Sequence, residues 1–365
     1  MTNFAAENKT TRSVMNKRKT QIVLCLMAGL CLAGPAQAQD NDKVDLTPHL
    51  HGTIRGKYEY QPDDHAGRFE VRNARLSVDG KVAAAVAYKA EIDLSDEGQI
   101  KMLDAYTRLT PIDWLQLTIG QMRVPFTIDA HRSPHQQYFA NRSFIAKQVG
   151  NVRDVGATVG YTFHPGFPVI VEAGLFNGSG LTNQKDFWTR EVNFSAKAQM
   201  FFPRGWNLTL SVQKIKPEEV GVMMYDAGAY YHAHGWHVEA EYLYKHYEGN
   251  AFNMVHAVDA FASYDIELRK CFFSKITPLL RYDYMSDHSD GKSYVLSTAA
   301  DGVETKGLKV TDAQRARLTG GLTLSISKPF ISDIRLNYEK YFYRKGGVPK
   351  PSEKDKFVVE VMTRF

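Results

Sequence analysis

Basic side chains are grouped around one long polar connection, residues 127–150. The five members of this group are Arg123, Arg132, Arg142, Lys147 and Arg153. The planar guanidinium group of arginine matches two oxygens of a phosphate-like anion, and lysine adds a compact positive charge. In a narrow passage such donors can replace part of an anion's hydration, and several weak sites in series allow the anion to leave again. These residues are therefore the candidates for anion binding.

Four further arginines fall on the strand faces predicted to point toward the same interior: Arg55, Arg281, Arg315 and Arg317. That interior also carries acidic residues, namely Glu59, Glu91, Asp93, Asp104, Glu239, Glu241, Asp283 and Glu339. Arginines opposite carboxylates can be structural ion pairs, or they can produce a transverse field with little ion preference. Selective passage of anions and general diffusion of small solutes both remain open at this stage.

The elements that position these residues follow from a period-two pattern beyond residue 45. Near the C-terminus, for example, Ile334, Leu336 and Tyr338 alternate with Arg335, Asn337 and Glu339. Such alternation sends the two sets to opposite faces of a sheet. Sixteen such segments start near residues 48, 68, 82, 100, 114, 154, 168, 189, 206, 222, 236, 252, 274, 310, 330 and 354. The pattern predicts an all-β fold, a 16-stranded antiparallel transmembrane β-barrel.

The connections between these strands alternate in length. Short turns are predicted at residues 79–80, 110–112, 164–166, 203–205, 234–235 and 328–329, with a less clear one near 269–273. Longer polar loops are predicted at 61–67, 127–150, 177–188, 246–251, 286–309 and 344–353. Short turns on one side and long loops on the other are typical of outer-membrane barrels. The segment 72–75 breaks the alternation, which indicates a β-bulge.

The N-terminus has the three parts of a secretory signal: basic residues 17–19, an apolar run at 22–33 and the small-residue site 36–38. The apolar run is shorter than the roughly 20 residues that a spanning helix needs. We therefore predict a cleaved signal peptide at 1–38, with Met15 as an alternative translation start. A short periplasmic segment at 39–47 and a barrel at 48–365 follow. Removing the signal takes away five of the 45 basic residues and one of the 40 acidic residues, so net charge gives no argument for nucleic-acid binding.

Several local sequences resemble the phosphate-selective porin O and P family. They are RFEVRNARL (68–76), DAY (104–106), GQMRVPF (120–126), RDVG (153–156) and LFNGSG (175–180). The resemblance extends over most of the chain from residue 48, with a more divergent C-terminal third. It implies a barrel in the Gram-negative outer membrane, in contact with its lipid and usually a homotrimer. It further implies an inward-folded constriction loop at 129–150 and basic residues that guide small anions such as phosphate.

Other function classes receive less support from the sequence. His232, His234 and His237 could offer imidazoles to a metal, but no third ligand with fixed spacing is evident, so no metal and no cofactor are predicted. Asp287 and His288, with Ser286 and Ser289 beside them, lack surroundings that would position a nucleophile, so no enzyme activity is predicted. A non-conducting surface or structural barrel remains the other alternative to a porin.

Overall fold

The computed structural model describes residues 44–96, 98–148, 152–181, 187–269, 271–327 and 330–365. Its strands are β1 (His49–Gln61), β2 (Ala66–Ala83), β3 (Val86–Asp96), β4 (Gln99–Ile112), β5 (Leu115–Arg123), β6 (Arg153–Phe163), β7 (Val169–Phe176), β8 (Asn193–Phe202), β9 (Trp206–Ile215), β10 (Val222–Ala233), β11 (Trp236–Tyr247), β12 (Val255–Tyr264), β13 (Ile266–Glu267), β14 (Lys275–Met285), β15 (Tyr294–Thr298), β16 (Glu304–Gly307), β17 (Arg315–Ile326), β18 (Ile331–Tyr343) and β19 (Lys356–Arg364). Strands β13, β15 and β16 lie within connections. The sixteen long strands of the described ranges form one antiparallel sheet, which closes where β1 pairs with β19. The predicted 16-stranded barrel is confirmed.

The barrel is polar inside and apolar outside. In β11, Glu239 and Glu241 are buried toward the lumen, whereas Val238 and Tyr242 on the opposite face are 45% and 42% exposed. Closure of the sheet matters because the hydrocarbon of a bilayer offers no hydrogen-bond partner to an unpaired strand edge. The alternation of the sequence therefore places charges in the lumen and a continuous apolar belt against lipid.

Helical structure in the described ranges is limited to short segments within connections. These segments are the 3-10 turns Pro134–Gln136, Pro203–Gly205 and Glu248–Asn250 and the helix Phe144–Gln148. None of the helices there has the length and apolar character needed to cross a membrane.

The two rims of the barrel differ in the length of their connections. One rim has tight turns such as residues 84–85 and 234–235, and both β1 and β19 have their free ends there. The other rim carries the long connections 124–152, 177–192, 286–314 and 344–355. By the general architecture of outer-membrane barrels, the short-turn rim faces the periplasm and the long-loop rim faces outward.

Two predicted turns are wrong. Asp79-Gly80 lies inside β2, and the chain turns only at residues 84–85. Likewise, residues 110–112 complete β4, and the turn follows at 113–114. In both cases the strand pairing continues past the local turn signal, because each further residue in the ladder satisfies backbone groups that the turn would leave unpaired. The turn predicted at 328–329 falls outside the described residues.

The predicted irregularity at 72–75 is a β-bulge. Arg55 of β1 pairs with Asn73, and the next residue, Gly56, pairs with Val71, so Arg72 has no opposite partner. A bulge shifts the alternation by one residue. As a result, Asn73 and Arg75 are brought to the lumen side, where they bond Asp93.

The connection between β5 and β6 folds into the barrel. We call its described part, residues 124–148, the inner loop. Its Phe144 and Ile145 are fully buried against Met224, Leu243 and Met285, which lie on the inward face of the wall. The predicted inward-folded loop is confirmed, although its predicted end at residue 150 falls outside the described residues.

Candidate functional site

The inner loop is fixed to one half of the barrel wall by hydrogen bonds to its backbone. Glu241 accepts the backbone N–H of Ile128 at 2.5 Å, Asp283 accepts that of Phe144 at 3.1 Å, and the Asn337 side chain accepts that of Ala140 at 2.9 Å. Loop backbone that lies in the lumen must find such acceptors, because a buried unpaired N–H group is costly. The acidic and amide side chains of this wall therefore serve as docking points for the loop.

Arg132, a predicted anion-binding residue, belongs to this docking system. Its guanidinium forms a bidentate ion pair with Glu239, lies 3.6 Å from Asp129 and stands over the ring of Tyr138. Burial alone would lower the pKa of Arg132, but the Glu239 and Asp129 carboxylates raise it above its ordinary value. Its charge is therefore already matched within the protein.

Arg55 and Arg281 lie on the inner wall beneath the loop. Arg55 donates to Glu360 at 2.5 Å, to the carbonyl of Ala140 at 2.6 Å and to the Gln137 side chain at 2.9 Å. Arg281 is 2.9 Å from Asp283, and its guanidinium lies 4.2 Å from the centre of the Phe139 ring. Both side chains are 3% exposed, which leaves them little access to a passing solute.

Arg315, Arg317 and Lys147 form a second group where the loop packs on the wall, which we call the covered side, toward the outward rim. Both arginines are buried there, whereas the Lys147 side chain is 32% exposed. Arg317 bonds Asp283 at 2.8 Å and Glu339 at 3.4 Å. Arg315 and Lys147 both pair with Glu353, at 2.8 and 3.6 Å, and Arg315 also lies 3.9 Å from Asp312. The ring of Phe144 contacts both guanidinium groups, at 4.6 and 4.8 Å. These contacts join the loop helix, the wall and the connection 344–355.

Arg123, Arg142 and Arg153, by contrast, converge on the other side of the loop. Arg123 and Arg153 are direct partners across the β5–β6 ladder. Arg123 and Arg142 both donate to the carbonyl of Arg132, at 2.9 and 2.8 Å, and Arg142 also donates to that of Asp129 at 2.6 Å. Like charges directly opposite each other across strands are unfavourable. This cluster therefore concentrates positive charge.

Burial is the main influence on the ionisation of Arg142, and the neighbouring positive charges add to it. Burial lowers the pKa of Arg142 to about 9; the carboxylate of Asp129 opposes this shift, and the charges of Arg75, Arg55 and Arg153 add to it. Among the described residues, no carboxylate lies within ion-pair distance of Arg142 or Arg123. In that same part of the chain Nη2 of Arg123 has no hydrogen-bond partner.

The sequence reasoning did not select Arg75 and Lys89, which face this cluster from β2 and β3. Arg75 bonds Asp93 at 2.9 Å and Glu91 at 3.3 Å, and Lys89 lies 3.2 Å from Glu91. Arg75 follows the bulge, so simple alternation could not assign its face. Lys89 alternates regularly with apolar Tyr88 and Ala90 and could have been found by the same rule as the wall arginines.

Carboxylates accompany the basic residues on this wall. Arg153 donates to Asp104 at 2.7 Å and to Glu91 at 3.2 Å. Arg75 and Arg153 are therefore bound to acids, while Arg123 and Arg142 are held by carbonyl oxygens. The excess positive charge lies on the loop side of this part of the lumen.

A cavity of about 680 Å³ continues from this wall toward the short-turn rim. Its lining includes the basic residues His49, Lys81, Lys89 and Arg108, together with Tyr106 and the acidic residues Asp45 and Asp79. Arg108 lies 5.2 Å from the ring centre of Tyr106 and donates to Thr118 at 3.1 Å. The basic lining of the lumen thus extends beyond the cluster at the loop.

Part of the sequence is similar to a known protein family. The sequence model of the family described as phosphate-selective porin O and P matches residues 49–199. This segment of the chain is similar to that family. The matched stretch contains every motif on which the resemblance was based, together with the inner loop and the Arg75, Arg123, Arg142 and Arg153 cluster. Together with the barrel, the match makes this chain an outer-membrane porin.

Solved structures share the porin's fold at low identity. They include the outer membrane channel DcaP of Acinetobacter baumannii (TM-score 0.56, 15% identity, 87% of this chain and 97% of that chain). An anion-selective porin from Comamonas acidovorans gives a TM-score of 0.57 at 11% identity, covering 87% and 98% of the two chains. The trimer form of OmpT of Vibrio cholerae gives 0.56 at 11%, covering 87% and 98%. No curated protein matches the sequence significantly.

The histidines of the porin's β10–β11 hairpin do not assemble as a group of three. His232 and His237 meet across the strands with their Nδ1 atoms 3.3 Å apart, and Nε2 of His237 is 3.1 Å from Glu239. His234 instead approaches the Tyr231 hydroxyl at 3.3 Å. The described residues contain no cluster of three or more His, Cys, Asp or Glu suited to a metal ion.

Proposed function

We propose that this porin passes small anions of the phosphate type and that Arg123 and Arg142 are the principal anion-binding residues, with Arg153 and Arg75 opposite them. The single observation that carries the proposal is the contrast in partners. Arg123 and Arg142 are held by carbonyl oxygens, whereas the other predicted loop cations, Arg132 and Lys147, are paired with carboxylates.

An anion at this cluster would relieve the repulsion between neighbouring guanidinium groups. It would also replace its own lost water with charge-assisted hydrogen bonds, for which the planar arginine fork is well suited. Carbonyl oxygens position Arg123 and Arg142 without neutralising them. Exit toward the periplasm would follow Lys89 and Arg108, where binding is weakened by nearby acids, as conduction requires.

General diffusion without anion preference is the second candidate, and one observation favours it. Glu91, Asp93 and Asp104 lie directly beside Arg75 and Arg153 and offset their charges. A lumen in which these carboxylates balance the loop arginines would produce a transverse field and pass small solutes of either sign. A sealed structural barrel is the third candidate.

Planar-bilayer recording of the purified protein separates these three functions. We expect discrete current steps, a reversal potential toward the chloride equilibrium potential in a potassium chloride gradient, and a fall in chloride current when inorganic phosphate is added. A reversal potential near zero would support general diffusion, and the absence of steps would support the sealed barrel. A reversal potential toward potassium would overturn the assignment of Arg123 and Arg142.

We further propose a homotrimer in the outer membrane, exported by cleavage after residue 38. The trimer form of OmpT among the structures of the same fold supports the oligomer. Native mass spectrometry of the detergent-extracted protein tests both the trimer and the cleavage site, because it measures the subunit number and the mass of the mature chain together. The absence of enzyme activity, metal, cofactor and nucleic-acid binding stays a prediction.

A further inference from the structure

The outer wall of the barrel contains an apolar groove of about 480 Å³ across β7 to β11. We call it the outer groove. Its floor is made by Ala196, Ala198 and Ala227, whose small side chains leave a hollow in the surface. Its walls are the larger apolar residues around them, namely Val171, Leu210, Val212, Tyr225, Tyr242 and Tyr244.

Strand register explains why the hollow exists. Across the sheet Val171 pairs with Ala198, Ala198 with Leu210, and Leu210 with Ala227. Small and large residues thus alternate along a row of the outer face, with Tyr242 beside Ala227 at the end of the row. An open channel in the surface that faces lipid is filled in the membrane by the chains that surround it.

A basic rim stands above the outer groove on the outward side. The outward-facing row nearest the connection 216–221 contains Lys214, Met223 and His246 as direct register partners. Successive rows on one face are two residues apart, about 7 Å along the strand. Lys214 and His246 therefore stand about two rows, some 14 Å, above the row of Ala198 and Ala227.

Lys214 has fewer acidic partners than the neighbouring Lys216. Lys216 lies 3.5 Å from Glu191 and 3.4 Å from Glu248. Lys214 forms no ion pair within 4 Å in the ranges that the structure describes, although it lies in the electrostatic field of Glu248. An amine at the headgroup level of a membrane favours an anionic lipid group.

We propose that the outer groove binds one acyl chain of a phosphorylated outer-leaflet lipid, whose phosphate is held by Lys214 and His246. Each end of this ligand has a matching feature on the barrel. The outer groove, at membrane depth, fits the acyl chain, and Lys214 and His246 at the outward rim fit the phosphate. Charge complementarity at the rim favours the lipid over a second copy of the barrel, which is an outcome of the test. The site is independent of conduction through the lumen.

The test is native mass spectrometry of the full-length mature porin in non-ionic detergent, titrated with diphosphorylated lipid A. We expect one saturable adduct. The double variant Ala198→Leu/Ala227→Leu, which fills the groove, and the double variant Lys214→Gln/His246→Gln should each weaken it at least about tenfold, a loss of about 1.4 kcal/mol. Lipid A without its phosphates should bind the wild type as weakly as diphosphorylated lipid A binds the rim variant.

Two matched controls separate the site from general effects. Ala316→Leu adds the same bulk to the outward face of β17, and Lys292→Gln removes a lysine from an exposed outward connection; neither should change the adduct. Retained single-channel conductance shows that each variant is folded. Equal lipid binding by the groove variant and the wild type would overturn the proposal, as would a changed subunit number with an unchanged adduct, which would assign the groove to a second copy.

Discussion

The two sides of the inner loop contain the same residue type in opposite electrostatic settings. On the covered side, Arg281 and Arg317 share Asp283, and Glu339 completes the pairing. On the open side, Arg123 and Arg142 are held by backbone carbonyls and face further arginines. An arginine in the lumen is therefore structural or solute-binding according to its partners. Position on the lumen face alone does not decide between these roles.

The largest expected effect comes from breaking the covered side. Arg317→Met removes the guanidinium between Asp283 and Glu339, while Asp283 keeps Arg281 at 2.9 Å and Glu339 keeps Lys356 at 3.9 Å. The cost should therefore lie near the lower end of the roughly 3–5 kcal/mol that breaking a buried ion pair typically costs. We expect the free energy of unfolding in a urea titration to fall by that amount, with increased noise in the single-channel current as the loop loosens. Arg142→Gln is the matched control and should unfold close to the wild type. Equal stability of the two variants would contradict the division into two sides.

The next largest effect is a loss of ion selectivity when arginines on the open side of the inner loop are replaced. Arg123→Gln and Arg142→Gln each remove a charge that has no carboxylate partner in the described residues, so the lumen should lose anion preference. In the partly screened interior of a protein, the electrostatic interaction between a charge and an ion several ångströms away is worth roughly 1–2 kcal/mol. We expect the chloride-to-potassium permeability ratio from reversal potentials to fall by roughly three- to tenfold in each variant. Lys147→Gln removes a cation that is already paired with Glu353 and should leave the ratio within about twofold. A larger fall there would reassign the pathway.

A smaller change in selectivity, of the opposite sign, is expected from Glu91. Glu91 lies within 3.3 Å of Arg75, Lys89 and Arg153, so Glu91→Gln frees part of three positive charges. The anion-to-cation permeability ratio should rise about two- to threefold, since neighbouring Asp93 and Asp104 retain part of the pairing. An unchanged ratio would mean that this wall does not contribute to selectivity.

The smallest expected effect is a pH dependence at the outward end of the covered side. Asp312, in the connection between β16 and β17, is 2.9 Å from His288, 3.9 Å from Arg315 and in contact with Lys350. Burial raises the pKa of Asp312, but hydrogen bonds from His288 and Lys350 and the charge of Arg315 lower it further than burial raises it. A carboxyl group whose pKa is depressed on folding stabilises the fold above the ordinary carboxyl range, and the stabilisation is lost as pH falls below that range.

Melting temperatures at pH 7 and pH 3 measure this contribution. The wild type should lose more stability on acidification than Asp312→Asn, which has no titrating group at this position. Asp301→Asn, in the exposed hairpin of the same connection, is the matched control and should follow the wild type. Parallel loss in Asp312→Asn and the wild type would show that Asp312 does not tie this connection to the barrel.

Much of the fold could be predicted because each strand is specified by signals in its own local sequence. The predicted starts of β9, β10 and β11 at residues 206, 222 and 236 agree with the structure, since period-two alternation and flanking turn residues are local signals. The turn at Asp79-Gly80 was misplaced because pairing with β3 extends β2 past a local signal. Arg75 was missed for a related reason, since a bulge changes the face of every residue that follows it.

The sequence by itself determined a polar lumen and an apolar exterior, because side-chain direction in a strand depends only on counting by two. It also determined that basic residues lie on and beside the inner loop. Only the tertiary structure decided which of those cations have carboxylate partners. Arg317 meets Asp283 and Glu339 across neighbouring strands, and Arg142 meets carbonyls of its own loop. Strand register and the docking of a folded loop set those distances, and electrostatic energy depends on distance rather than on residue type.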